Sequence, residues 1–316
     1  MKRLTFLLFS LFLFSQLVTA QNKELSAAQI AELKYKSDNE TWSIRNNPTN
    51  YLAFTKRADY KFQLNDIKGA IEDLDTVLEV VQNDPVLYNR RAYCRNFIKD
   101  YLGAYEDYTA VINISPRSSK TYTDRGIALF NLKRITEAKA DFDKAIKLNP
   151  QNEEAYLNRA NIKYLAKDLK GTWNDYQSVT KIDPEYSPAF KSMAELSVKL
   201  KEYKRAIKEY ESYVNLVPNY YQGYQLIGIY AYNTKDYKKS IINFSKAIEA
   251  GLVNEENYFK RGMSYFRLSK YEPAISDLDK AITLNANNVT AKIVRETAVK
   301  KLNSSNKTKD LLAVNE

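Results

Sequence analysis

The sequence predicts an all-α protein built of stacked helical pairs, and three observations predict it. First, prolines stand at 116, 150, 184 and 218, each 34 residues after the last. Proline removes an N–H and clashes with the preceding turn, so it stops a helix. A fixed 34-residue spacing of stops marks a repeated helix–turn–helix unit. Second, small residues recur at two fixed places in each unit. Third, a large residue recurs at another, as close packing of two helices requires.

With Tyr51 as position 1, seven units of 34 residues run to Asn288: 51–84, 85–118, 119–152, 153–186, 187–220, 221–254 and 255–288. Position 4 is aromatic throughout (Phe54, Tyr88, Tyr122, Tyr156, Phe190, Tyr224, Tyr258). Position 8 is Ala or Gly (Ala58, Ala92, Gly126, Ala160, Ala194, Gly228, Gly262), and position 20 is small from Ala70 to Ala274. Position 24 is large: Leu74, Tyr108, Phe142, Tyr176, Tyr210, Phe244, Leu278. Each unit therefore reads as helix A over about positions 2–14, a tight turn, and helix B over about positions 17–30.

The segments "AYLNRANIKYLAKDLKGTWNDYQSVTKIDP" and "YTDRGIALFNLKRITEAKADFDKAIKLNP" resemble tetratricopeptide repeats, and the resemblance spans 238 of the 316 residues. It implies a right-handed α-α superhelix, a solenoid whose concave groove is lined by A helices and binds peptides or proteins. Departures are present. The family's Tyr at position 11 survives only as Tyr265, with Lys61, Arg95, Leu129, Lys163, Ser197 and Ala231 elsewhere. Gln82, Leu252 and Ala286 replace the closing proline.

Residues 1–20 read as a secretory signal: Lys2 and Arg3 lead, Leu7 to Phe14 form a short apolar core, and Val18-Thr19-Ala20 fits a cleavage site. The apolar run is short for a membrane span, which needs about 20 residues. No cysteine follows to carry a lipid, so the expected location is periplasmic or extracellular. Residues 21–50 read as a helical cap or degenerate repeat, with Ser26 capping a helix through Lys36. Residues 289–302 read as a C-terminal capping helix with a polar face from Lys292, Lys300 and Lys301. Residues 303–316 read as a disordered tail.

The chain has no histidine and one cysteine, Cys94. That removes histidine acid/base chemistry, Cys/His dyads, most zinc sites and an internal disulfide. No phosphate-cradling glycine loop occurs, and no cofactor, metal or catalytic residue is expected. Cys94 reads as a buried, inert thiol. Net charge is +10, falling to +8 when Lys2 and Arg3 leave with the signal; residues 289–316 hold six basic and three acidic residues. The rest is diffuse, which argues against nucleic acid and leaves weak attraction to an anionic membrane or envelope surface.

Position 7 carries Arg57, Arg91, Arg125, Arg159 and Arg261; position 23 of the same units carries Asp73, Asp107, Asp141, Asp175 and Asp277. Units five and six replace Arg by Met193 and Ile227, and their position 23 is Glu209 and Asn243. The co-variation predicts a structural Arg–Asp bridge within a repeat or to its neighbour, because a guanidinium can grip a carboxylate through two hydrogen bonds. Units five and six then form the least constrained joint. A ladder for anionic ligands is the rival reading.

The candidate peptide-binding residues are Phe62, Phe130, Tyr164, Tyr232 and Phe266 at position 12, with Tyr93, Phe97 and Phe259 beside them. Position-12 aromatics also pack within their own unit, so two readings stand. Capture of a peptide's terminal carboxylate, as some relatives achieve, lacks its Lys/Asn set in any three consecutive units. The expected function is a non-enzymatic scaffold that binds a protein or peptide. The alternatives are an envelope component assembling through its ends or convex face, and a carboxylate-based enzyme.

Overall fold

The computed structural model describes residues 25–313, with side chains to 306. The expected signal segment 1–20 lies outside them. Among the described residues there are 16 helices and no strand. They fall into two compact units that divide between Asn149 and Pro150.

In the first unit, α1 (Ala27–Asn46) precedes three helical pairs: α2 (Tyr51–Gln63) with α3 (Ile67–Leu78), α4 (Pro85–Phe97) with α5 (Tyr101–Ile114), and α6 (Ser119–Asn131) with α7 (Ile135–Leu148). The second unit has four pairs and a last helix. They are α8 (Glu153–Leu165) with α9 (Leu169–Ile182), α10 (Ser187–Lys199) with α11 (Tyr203–Leu216), α12 (Tyr221–Asn233) with α13 (Tyr237–Glu249), α14 (Glu255–Arg267) with α15 (Tyr271–Leu284), and α16 (Val289–Ala313). Each helix packs on its pair mate and, within its unit, on the next pair.

The small and large positions meet as the pattern requires. Position 8 of α6 is Gly126, and a β-carbon there would come within 2.7 Å of the Phe142 ring on α7. Apolar burial follows the repeat. Ala58, Leu74, Val77, Leu87 and Cys94 form one core in the first unit. Ala194, Ile207, Tyr210, Val214 and Ile227 form another in the second.

One turn recurs seven times. Position 15 is left-handed at Asn65, Lys99, Lys133, Lys167, Lys201, Lys235 and Ser269, with φ between 57° and 66°. The next N–H returns to the carbonyl of position 11, as from Asp66 to Lys61 and from Glu202 to Ser197, both at 2.8 Å. This closes the A helix in a Schellman motif. The following carboxylate then starts helix B: Asp66, Asp100, Asp168 and Asp236 each accept from the backbone N–H three residues on.

Two helix ends differ from expectation. Ser26 does cap α1, in a capping box with Gln29, but the helix passes Lys36 and continues to Asn46. No proline or glycine occurs in that stretch, and the first stop is Pro48. Likewise α16 does not end at Leu302. It runs to Ala313, so the expected disordered tail is helical to that point, again across a segment free of proline and glycine.

Candidate functional site

All five Arg–Asp pairs are joined. Arg57 Nε and Nη2 donate to Asp73 at 2.8 and 2.6 Å, Arg91 to Asp107 at 3.0 and 2.6 Å, and Arg125 to Asp141 at 2.8 and 2.8 Å. Arg159 donates to Asp175 at 2.9 and 2.6 Å, and Arg261 to Asp277 at 2.7 and 2.8 Å. The five aspartates are buried. Each guanidinium also lies over the position-4 ring of its own helix, 5.4 to 5.6 Å from Phe54, Tyr88, Tyr122, Tyr156 and Tyr258. Arg57 also reaches back to Thr41 of α1, and Arg91, Arg125 and Arg261 reach back to Asp75, Thr109 and Ser245 of the preceding B helix. The bridge therefore acts both within a repeat and between neighbours, and it leaves the guanidiniums engaged.

Sequence reasoning missed two parts of this network. The position-11 departures add a second cation: Lys61 to Asp73 at 3.0 Å, Arg95 to Asp107 at 3.0 Å and Lys163 to Asp175 at 2.8 Å. They lie four residues after the arginine, one turn along the same helix face, and that spacing was the available clue. The ladder also continues into α16, where Arg295 meets Asp279 at 2.9 Å.

Units five and six fill position 7 with apolar side chains, Met193 and Ile227, both buried. Opposite Met193, Glu209 is buried with no position-7 arginine to meet it. Trp173 Nε1 of α9 donates to its Oε1 at 2.5 Å, while Oε2 has no hydrogen-bond partner. Burial pushes this carboxyl above its ordinary value of 4.5, against the pull of Ser197, Trp173 and Arg205. An acid with a raised folded-state pKa contributes stability that is fully present below the unfolded pKa and is lost as pH rises through the folded one. Glu209→Gln, which removes the buried charge, should therefore stabilise the protein at pH 8 by about 1–3 kcal/mol, the scale of a buried group's desolvation. The gain should vanish near pH 4. Thermal melts of both proteins across that range check this, and a gain independent of pH would refute it.

The candidate aromatics do not all share one environment. In the first unit Phe62 of α2 packs on Tyr93 and Phe97 of α4, with ring centroids 5.4 and 5.7 Å apart. Tyr93 and Phe97 remain 44% and 45% exposed. Arg90 bridges to Asp59 beside them at 2.8 Å, tying the two A helices together. Asn96, next along α4, keeps its Oδ1 buried and without a partner. Phe130 is half-buried on α6.

In the second unit Tyr232 and Phe266 pack edge to face on Tyr237 and Tyr271 of their own B helices, at 5.6 and 5.9 Å. The Lys199 ammonium covers Tyr164, 4.8 Å from its ring centroid. Phe259 is half-buried on α14. The cluster of α2 and α4 is therefore the group with open aromatic surface on adjacent A helices.

Cys94 is buried, and burial together with Asp59 pushes its thiol up to about 11, which suits an inert side chain. Among the described residues, no group of three or more His, Cys, Asp or Glu is placed to hold a metal ion. Among them, too, no helix is long and apolar enough to cross a membrane.

Helical pairs closed by one turn and locked by one Arg–Asp bridge define a helical-repeat protein. Residues 119–152 and 255–288 match family models described as tetratricopeptide repeat. A comparison with curated proteins gives no match. Among solved structures, the C-terminal part of a TPR repeat-containing protein from Cytophaga hutchinsonii is 20% identical, with a TM-score of 0.52. The match covers 76% of this chain and 98% of that one. A tetratricopeptide repeat protein from Parabacteroides merdae is 14% identical (TM-score 0.49, covering 79% and 98%). YrrB, described as a TPR protein with an unusual peptide-binding site, is 21% identical (TM-score 0.45, covering 61% and 100%). At these identities the likeness concerns the fold.

Proposed function

We propose that the chain is a secreted or periplasmic scaffold of the bacterial envelope that binds an extended peptide or protein segment on the A helices of its first unit. The observation that carries this reading is the open cluster of Phe62, Tyr93 and Phe97 across α2 and α4. Exposed aromatics on adjacent rigid helices supply the large, low-entropy contacts that dominate protein interfaces. The ladder carboxylates are taken up by the structural bridges.

The binding test is hydrogen exchange with peptides selected from a displayed library. Protection should concentrate in α2 and α4. Protection confined to B helices would overturn the reading. The location has its own test. Expressed in a Gram-negative host, the exported chain should have the intact mass of residues 21–316, and a product retaining Met1 would remove the secretion reading.

A second reading, assembly through an end of the stack, draws on Tyr35 and Trp42 of α1, which are 68% and 70% exposed. A monomer at high concentration in sedimentation would remove it. The positive charge of the chain extends the proposal to contact with anionic envelope surfaces.

A further inference from the structure

Three consecutive turns of the second unit carry one four-residue pattern: Lys167-Asp168-Leu169-Lys170, Lys201-Glu202-Tyr203-Lys204 and Lys235-Asp236-Tyr237-Lys238. The equivalent turns elsewhere break it, from Asn65-Asp66-Ile67-Lys68 to Ser269-Lys270-Tyr271-Glu272. These turns join α8 to α9, α10 to α11 and α12 to α13, so the copies recur along one edge of that unit.

All six lysines are exposed. The edge's acids are already engaged. Asp168 and Asp236 accept from the backbone N–H of Gly171 and Lys239, and Glu202 pairs with Arg205 at 2.5 Å. With Arg205 included, the three turns hold an excess of four positive charges.

The backbone of these turns is the one that all seven turns share. Lys167, Lys201 and Lys235 have φ of 62°, 59° and 63°. Glycine occupies that region without strain, whereas a β-carbon is crowded there. The turn geometry therefore does not ask for lysine.

The surroundings narrow the partner. The rings between the lysines face inward: Tyr203 stacks on Tyr230 at 5.4 Å, and Tyr237 packs on Tyr232. They are not free to stack on nucleobases, which single-stranded nucleic acid recognition uses. Arg205, the guanidinium of this edge, lies over Trp173 at 4.4 Å and is paired to Glu202. What remains is a row of compact ammonium charges on flexible stems. That suits a flat array of phosphates better than one bounded anion.

We propose that this edge of the second unit binds the surface of an anionic phospholipid bilayer. The contact is separate from peptide binding on α2 and α4 and stands or falls without it.

The test is co-sedimentation with vesicles of phosphatidylcholine and phosphatidylglycerol, using the chain beginning at Gln21, which keeps every described helix. The chain should bind these vesicles in low salt, ignore phosphatidylcholine alone, and release at about 0.5 M salt, where screening shortens charge interactions to a few ångströms. Lys167→Gly with Lys201→Gly and Lys235→Gly removes three charges in favour of the residue the backbone prefers. Binding should fall at least about tenfold, since each lysine near such a surface contributes roughly fivefold. Lys170→Glu with Lys204→Glu and Lys238→Glu should abolish it, with helical circular dichroism retained in both. Lys99→Gly with Lys133→Gly makes the same backbone change in the first unit and should leave binding within about twofold. Equal loss in that control, equal binding to phosphatidylcholine alone, or tighter capture of a single-stranded oligonucleotide at the same salt would each overturn the proposal.

Discussion

Replacing Arg125 by methionine should destabilise the first unit by about 3–5 kcal/mol, and adding Asp141→Asn should return most of that loss. The pair is bidentate at 2.8 and 2.8 Å, and the side chains of Arg125 and Asp141 are only 18% and 8% exposed. The Asp141 hydrogen bond holds the guanidinium above its ordinary value, against burial. Removing the cation alone strands a buried carboxylate, and the cost is the desolvation of a charge without its partner. Removing both charges takes away that penalty along with the attraction, so the pair is worth far less than either single loss suggests. The protein has already made this exchange: units five and six carry Met193 and Ile227 where the arginine would be, with Glu209 and Asn243 opposite. Chemical denaturation of the two single variants and the double variant measures the coupling. Additive losses would show that the two side chains do not interact.

The repeat frame was legible because it rests on volume. Proline at position 32, small residues at 8 and 20 and a large one at 24 follow from how closely two helices approach, and Gly126 against the Phe142 ring shows why. The Arg–Asp pairing was legible because it changes in step along the chain. The lysines and arginine at position 11 were passed over because they stood where an aromatic belongs. They read as departures rather than as second cations one helical turn from the first. The ends of α1 and α16 were misplaced because neither carries a stop, and a polar segment without proline or glycine gives no reason to end a helix. The aromatic surface was the least legible part. Position 12 fixes which helix face a ring occupies, but its exposure depends on a neighbour. Tyr237 and Tyr271 cover Tyr232 and Phe266, whereas Phe62 turns toward Tyr93 and Phe97.

That difference in neighbours sets the strongest expectation for function. Tyr93→Ala with Phe97→Ala should weaken peptide binding by roughly thirtyfold or more for each ring, since anchoring aromatics commonly cost about 2 kcal/mol or more apiece. The fold should hold, because both rings are nearly half exposed and alanine is the best helix former. Tyr232→Ala with Phe266→Ala is the informative contrast. Those rings pack on their own B helices, so their loss should lower the melting temperature more than it lowers binding. Titration of a labelled library-selected peptide into the three proteins, beside thermal melts, separates the outcomes. If the Tyr93 and Phe97 variant binds as the parent does while remaining fully helical, the open cluster on α2 and α4 is surface and not site. If the two double variants lose binding equally, the peptide does not distinguish an exposed ring from a packed one, and the geometric reason for choosing the first unit is gone.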